Sequence, residues 1–318
     1  RSLYTLQTGV LWAHFFDRLG FRVVLTPPTN SHISSAGIEV MTAETCYPIK
    51  VSHGHVRELV GKTSILFLPA IVNMATPDRS DAGFYCPLLQ ANPYMVRMAL
   101  GLDRTQVLNP ILHMKHDLPT LALELAEQVS GKLGRSKAEI RRALQYGMER
   151  QNRFLREVLE KGKEILENQD PEKPLVIVSG RPYNLHDERL NLRLGQNLAK
   201  IGITALPMDF VDISGVDLSD FPNMYWGLGA QILRTAKFIK AHPHTFGLHL
   251  TNFSCGADSF LEHFYKYIMG DKPYLILELD EHSAVAGTLT RLEAFRNVIE
   301  NTMQKARTML YRDLQVSN

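Results

Sequence analysis

Cysteine is scarce in this chain: 318 residues hold three, Cys46, Cys86 and Cys255. An odd number at long spacings excludes a disulfide framework, and no signal peptide is recognisable, so the expected setting is a reducing cytoplasm. No C-x-x-C pair occurs. An excess of charge of one sign is also missing. The 35 Lys and Arg against 33 Asp and Glu leave a formal charge of +2, too little for a nucleic-acid surface, and no basic run carries interleaved aromatics. No apolar run approaches the roughly 20 residues of a membrane helix. The glycines form no phosphate-binding pattern. Gly227 and Gly229 in YWGLGAQIL lack a preceding strand and a third glycine, and no Walker-type loop occurs, so neither a dinucleotide fingerprint nor an ATP site is expected.

What is present is an ordinary globular composition, 45% hydrophobic and 21% charged. The length favours two domains over one core. The pattern is α/β, with two Rossmann-like, doubly wound, mainly parallel-sheet domains. They are expected at 1–115 and 171–318, joined by a helical connection over 116–170, with the Asp170–Pro174 stretch as linker. In the first half, strands are predicted at Phe21–Thr26, Ile38–Met41, Ser64–Pro69 and Gln106–Leu112. A helix over Leu6–Leu19 comes before the first of these. A doubly wound sheet places a strand ahead of such a helix, so the sequence reads as a piece of a longer protein beginning just after one. The loop before Cys86 holds Asn73, Pro77, Asp78 and Gly83. Ser136 and Glu139 form a capping-box pattern at the head of a long charged helix. The second half predicts strands at Leu175–Ser179, Ile203–Met208, Phe246–Asn252 and Tyr274–Leu279, alternating with helices. Ligands of such sheets sit beyond the strand carboxyl ends.

The cysteines fall at those ends. Each follows a strand or its loop and precedes a helix, where unpaired N–H groups and the dipole favour thiolate. All three are therefore expected to line one crevice between the domains, where three thiolates suit an iron–sulfur cube with one iron left open. Three buried free thiols are the plainer alternative. His53 and His55 in KVSHGHVREL point about 200° apart on a continuous helix, so they cannot share one ion, and one is expected to face solvent. Arg181, Asn184, His186 and Asp187 share the strand-end loop of RPYNLHDERLN and are candidates for holding phosphate or an acyl group. His282 follows the last strand.

The phrases ETCYPIKVSHGH, SGRPYNLHDERLN, MYWGLGAQILRTA, LTNFSCGADSF and PYLILELDEHSAVAGTLTRLEAF resemble a domain of unknown function in the large acyl-CoA dehydratase activase-related proteins. Its distant relatives are the subunits of 2-hydroxyacyl-CoA dehydratases and benzoyl-CoA reductases. The likeness runs from about Ser2 to Arg307. It implies paired α/β domains with a [4Fe–4S] cluster at their interface, held by Cys46, Cys86 and Cys255. A double-cubane [8Fe–9S] cluster is the alternative, and three cysteines per chain are few for it unless a homodimer shares them. An ATP-dependent activase is the implied electron donor and an acyl-CoA or small molecule the implied acceptor. The expectation is thus an oxygen-sensitive electron-transfer and reductase module, with His186, Arg181 and Asn184 on the substrate side, joined by His53 or His282. The competing readings are a docking module of an activase complex without catalysis and a Cys/His zinc hydrolase.

Overall fold

The structure is a computed structural model, and it describes residues 1–76 and 82–316, with side chains to 308. Pro77 and Asp78 of the loop before Cys86 lie outside the described residues. The first half runs α1 (Thr5–Arg18), α2 (Ser31–Val40), α3 (Tyr47–Leu59), β1 (Leu66–Phe67), β2 (Ala70–Asn73), α4 (Pro87–Ala99), β3 (Val107–Leu108) and β4 (Ile111–His113). β1 pairs with β3 and β2 with β4, both parallel. Leu68 N–H donates to Leu108 O at 2.9 Å and Ala70 N–H to Pro110 O at 2.8 Å, so the pairing runs through the break. The break falls where Pro69 and Pro110 carry no N–H for a ladder.

Two expected strands are absent here. Phe21–Thr26 lies in no helix and joins no ladder, and Val23, Val24 and Leu25 are 40%, 37% and 49% exposed. A cavity of about 450 Å³ separates it from β1, walled by Trp12, Phe16, Leu25, Leu66 and Phe67. A strand forms only with a neighbour about 4.8 Å away, and the cavity removes that neighbour. Ile38–Met41 is not a strand either, because Ile38 to Val40 complete α2. Asn30 caps that helix by accepting from Ile33 N–H at 3.0 Å. Gly54 of α3 packs so tightly on it that a Cβ would stand 1.8 Å from Ile33 O. The first half is therefore helical packing around one bent strand pair rather than a full doubly wound sheet.

α5 (Leu118–Leu133) and α6 (Lys137–Glu167) follow, and the Ser136–Glu139 capping box is formed. Leu11 and Phe15 of α1 share a core with Leu121 and Leu125 of α5 and Ile140 and Leu144 of α6. Each such side chain is worth about 1.5–3 kcal/mol when fully buried. α6 then runs on to the second half, where Gly162 lies against the Phe210 carbonyl.

The second half comprises β5 (Leu175–Gly180), α7 (Pro182–His186), α8 (Leu194–Lys200), β6 (Thr204–Pro207), α9 (Gly227–Ala241), β7 (Thr245–Asn252), α10 (Gly256–Met269), β8 (Tyr274–Leu279) and α11 (Val285–Val316). Its sheet is fully parallel, in the order β6-β5-β7-β8. β5 and β7 are buried at every position, as expected of strands covered on both faces. Ile177 and Leu206 face α9 and α10, while Val176 and Leu248 face α8 and α11. Among the described residues, no helix is long and apolar enough to cross a membrane.

Candidate functional site

The chain leaves β5 for β6 on one side, then returns across β5 to β7 and β8 on the other. The connections therefore diverge at the carboxyl ends of β5 and β7, which are register partners at Gly180 and Leu250. Such a switch point opens the crevice in which doubly wound sheets bind ligands. The loops leaving it supply Arg181, Tyr183 and Asn184 from one strand and Cys255 and Asp258 from the other. Cys255 is the N-cap of α10 and is 7% exposed. Ser254 just before it holds φ at +64°, a left-handed conformation costly for a residue with a side chain and typical of functional turns.

The other two cysteines are delivered by the first half. Cys46 is the N-cap of α3 and Cys86 the N-cap of α4, each followed by a proline in the first helical turn, where a missing N–H costs nothing. The loop carrying Cys86 is stitched in place. Tyr85 N–H donates to Val72 O at 3.0 Å, Phe84 N–H to Tyr225 O at 3.0 Å, and Gly227 N–H to Phe84 O at 3.0 Å. Gly227 accordingly serves close packing and not a nucleotide, since a Cβ there would stand 2.5 Å from Met74. Cys46 and Cys86 then share an apolar cluster with Tyr183 and Leu228 of the second half. Cys46 lies close enough to Cys86, Cys255, Arg181 and Asp258 for their charges to act on it.

Burial dominates the thiol electrostatics. It pushes Cys46 up to about 11 and Cys255 up to about 12, against the thiolate that a helix N-terminus favours. The nearby Arg181 guanidinium works the other way but does not offset desolvation. Arg181 donates to Asp258 Oδ1 through Nε at 3.1 Å and Nη2 at 2.7 Å, and Thr251 Oγ1 donates to Asp258 Oδ2 at 3.0 Å. Burial opposes the Asp258 carboxylate, yet Arg181, His249 and these hydrogen bonds outweigh it and hold its pKa below the ordinary value. Thr45 Oγ1, beside Cys46, and Asn184 Oδ1 are buried without a hydrogen-bond partner.

The candidate histidines go elsewhere. His186 is exposed and pairs with Asp209 at 2.5 Å. His282 is exposed too. Its neighbour Glu281 reaches across instead, accepting from buried Lys50 Nζ at 2.5 Å, and Lys50 also holds Glu44 at 2.8 Å. His53 and His55 are both buried, at 1% and 2% exposure, because α3 is enclosed on every side through its first ten residues. His53 Nδ1 hydrogen-bonds Ile49 O at 2.8 Å. His55 lies between Thr26 Oγ1 at 2.7 Å and Thr29 Oγ1 at 2.8 Å, and Thr29 in turn donates to Asp187. Asp258, Lys50 and Glu281 escaped the sequence reading. Asp258 stands three residues after Cys255 in the first helical turn, and that position was its one available signal.

Residues 1–211 match the family described as the CoA enzyme activase uncharacterised domain. No curated protein and no solved structure matches the chain. The match covers more than half of the chain, and the chain belongs to this family.

Proposed function

We propose that this member of the CoA enzyme activase domain family is an iron–sulfur electron-transfer and reductase module. Cys46, Cys86 and Cys255 would hold one [4Fe–4S] cluster. The module would take low-potential electrons from an ATP-dependent activase and pass them to an acyl-CoA or small-molecule acceptor, in a cytoplasm kept free of oxygen. The observation that carries this reading is the placement of the three free cysteines, with Cys46 near enough to Cys86 and to Cys255 for their charges to act on one another. Three loops far apart in sequence each end in a cysteine that caps a helix of 13 or 14 residues.

The donor set fits such a group. Three thiols and no competing carboxylate pair favour a soft, sulfide-rich centre. Three helix N-termini and the Arg181 guanidinium supply positive potential to a site that would gain negative charge. Thr45 Oγ1 offers a hydroxyl donor beside Cys46, and hydrogen bonds to sulfur are one of the levers that set a cluster's potential. Asn184 Oδ1 offers an unmet acceptor for an N–H or O–H of a bound acceptor molecule. When bound, the cluster would supply one-electron chemistry at low potential. Arg181 would orient the loop after β5 and keep the Asp258 charge from destabilising that site.

Iron and acid-labile sulfide per chain after strictly anaerobic purification test the reading. About four of each are expected, lost together in Cys46→Ser, Cys86→Ser or Cys255→Ser. Colourless protein without sulfide, even after anaerobic reconstitution, overturns it.

A further inference from the structure

A second donor cluster lies outside the cysteine site, where β4 turns into α5. The segment HMKHDLPTLALE places His113 at the end of β4, His116 in the following turn and Glu124 on α5. His113 Nδ1 is 2.5 Å from Glu124 Oε1, and His116 Nδ1 is 3.8 Å from Glu124 Oε2. The two imidazoles stack with centroids 5.2 Å apart and planes 26° from parallel. The ligand atoms of all three residues lie within 4.8 Å of one another.

This geometry is built by the backbone. His116 N–H donates to His113 O at 2.9 Å and closes the turn. Lys115 N–H donates to Asn73 Oδ1 at 3.2 Å, from a buried asparagine on β2. Asp117 caps α5 by accepting from Thr120 N–H at 3.0 Å. Four residues after Glu124, Gln128 holds Ile111 N–H and Ile111 O, each at 2.8 Å, so α5 is clamped along β4 with Glu124 under the histidines.

We propose that His113, His116 and Glu124 form a binding site for a borderline divalent cation, with Zn²⁺ as the ion it suits. Two imidazoles and one carboxylate are a recurring zinc set that leaves a fourth position for water. Metal–ligand bonds of 2.0–2.1 Å in a tetrahedron put ligand atoms about 3.3 Å apart. One ligand atom from each of the three residues already lies within 4.8 Å of the others, so side-chain shifts of about 1–2 Å would bring them to that spacing. The His side chains are 35% and 38% exposed and Glu124 20%, which gives the ion a path from solvent. A purely structural reading covers less. Glu124 has a local task, since Oε2 also accepts from His113 N–H at 3.1 Å, but that bond does not call for a second histidine beside the same carboxylate.

Thiols also bind zinc, so the test must separate the two sites. Co²⁺ titrated into the full chain reports its own ligands: thiolates add an intense near-ultraviolet charge-transfer band that imidazole and carboxylate do not. One Co²⁺ per chain is expected with visible d–d bands and no thiolate band, and Zn²⁺ should displace it. His116→Ala should weaken that binding at least tenfold and leave any thiolate-associated Co²⁺ unchanged. Because Glu124 also supports β4, Glu124→Gln is read alongside circular dichroism, and it should lose binding while the spectrum of the fold persists. Unchanged Co²⁺ binding in His116→Ala, or a Co²⁺ spectrum that always carries the thiolate band, overturns the proposal.

Discussion

Arg181 Nη2 stands 2.7 Å from Asp258 Oδ1, with the two side chains only 3% and 0% exposed. One residue leaves β5 and the other opens α10, so this buried pair fixes the two strand ends that frame the crevice. Breaking a buried ion pair by removing one partner leaves a charge without compensation, and the cost is about 3–5 kcal/mol. Asp258→Asn and Arg181→Met are each expected to lose that much in urea denaturation of the metal-free chain. The double variant should lose clearly less than the sum, because neither charge is then stranded. Strict additivity would mean that the pair is not coupled.

The three thiols should also differ in reactivity before any metal is bound. Cys46 and Cys255 are 6% and 7% exposed, and burial raises their pKa, so both accessibility and thiolate fraction are low. Cys86 is only partly buried. Under iodoacetamide at neutral pH, mass spectrometry of the metal-free chain should show Cys86 modified first. The other two should react at rates that rise with denaturant. Equal labelling of all three in the native chain would contradict the placement described here.

The second half was legible in the sequence because its two central strands, LVIVSG and TFGLHLTN, are fully buried runs bounded by helix starts. The helix-capping places of Cys46, Cys86 and Cys255 were legible for a related reason, since proline or glycine marks each following turn. The first half was legible only in part: its helices after Cys46 and Cys86 and strand segments at Ser64–Pro69 and Gln106–Leu112 are present, but two expected strands are not. FRVVLT has the composition of a strand, but composition cannot say whether a neighbouring strand is within reach, and here a cavity stands between it and β1. IEVM has β-branched residues, yet the Asn30 cap and the close fit of Gly54 against Ile33 override that preference. The Arg181–Asp258 and Lys50–Glu281 pairs join residues far apart in the chain, which no local pattern encodes. The His113, His116 and Glu124 group went unread because its donors come from a strand, a turn and a helix.

Acid should destabilise the fold through three buried histidines. Burial is the largest cause in each case: it takes His55 down to about 3 and lowers His53 and His249. Above the ordinary value of 6.5 these rings are neutral in both the folded and unfolded chain and contribute nothing to the pH dependence. As the pH falls below 6.5 the unfolded chain takes up protons that the folded chain refuses, so stability drops with pH. The slope approaches about 1.4 kcal/mol per pH unit for each histidine involved. Urea midpoints measured from pH 7 down to pH 5 should fall, and His55→Gln should flatten the fall. A flat profile would mean that these rings are hydrated.

Two helical glycines separate intrinsic preference from packing. In an exposed helix interior, Ala is better than Gly by about 1 kcal/mol. Gly131 of α5 meets no heavy atom beyond its own helix backbone within 4 Å of the place a Cβ would take, so Gly131→Ala should gain roughly that amount. Gly162 of α6 has the same helical preference, but a Cβ there would stand 1.7 Å from the Phe210 carbonyl oxygen. Neither backbone can retreat without lifting α6 from the turn after β6, so Gly162→Ala should lose about 1–3 kcal/mol. That loss should spare the core formed by α1, α5 and the start of α6, which lies at the other end of the helix. Hydrogen exchange should therefore show amides around Phe210 opening faster in Gly162→Ala while those of α1 keep their protection. Uniform loss of protection would instead mean that α6 couples the two halves into one folding unit.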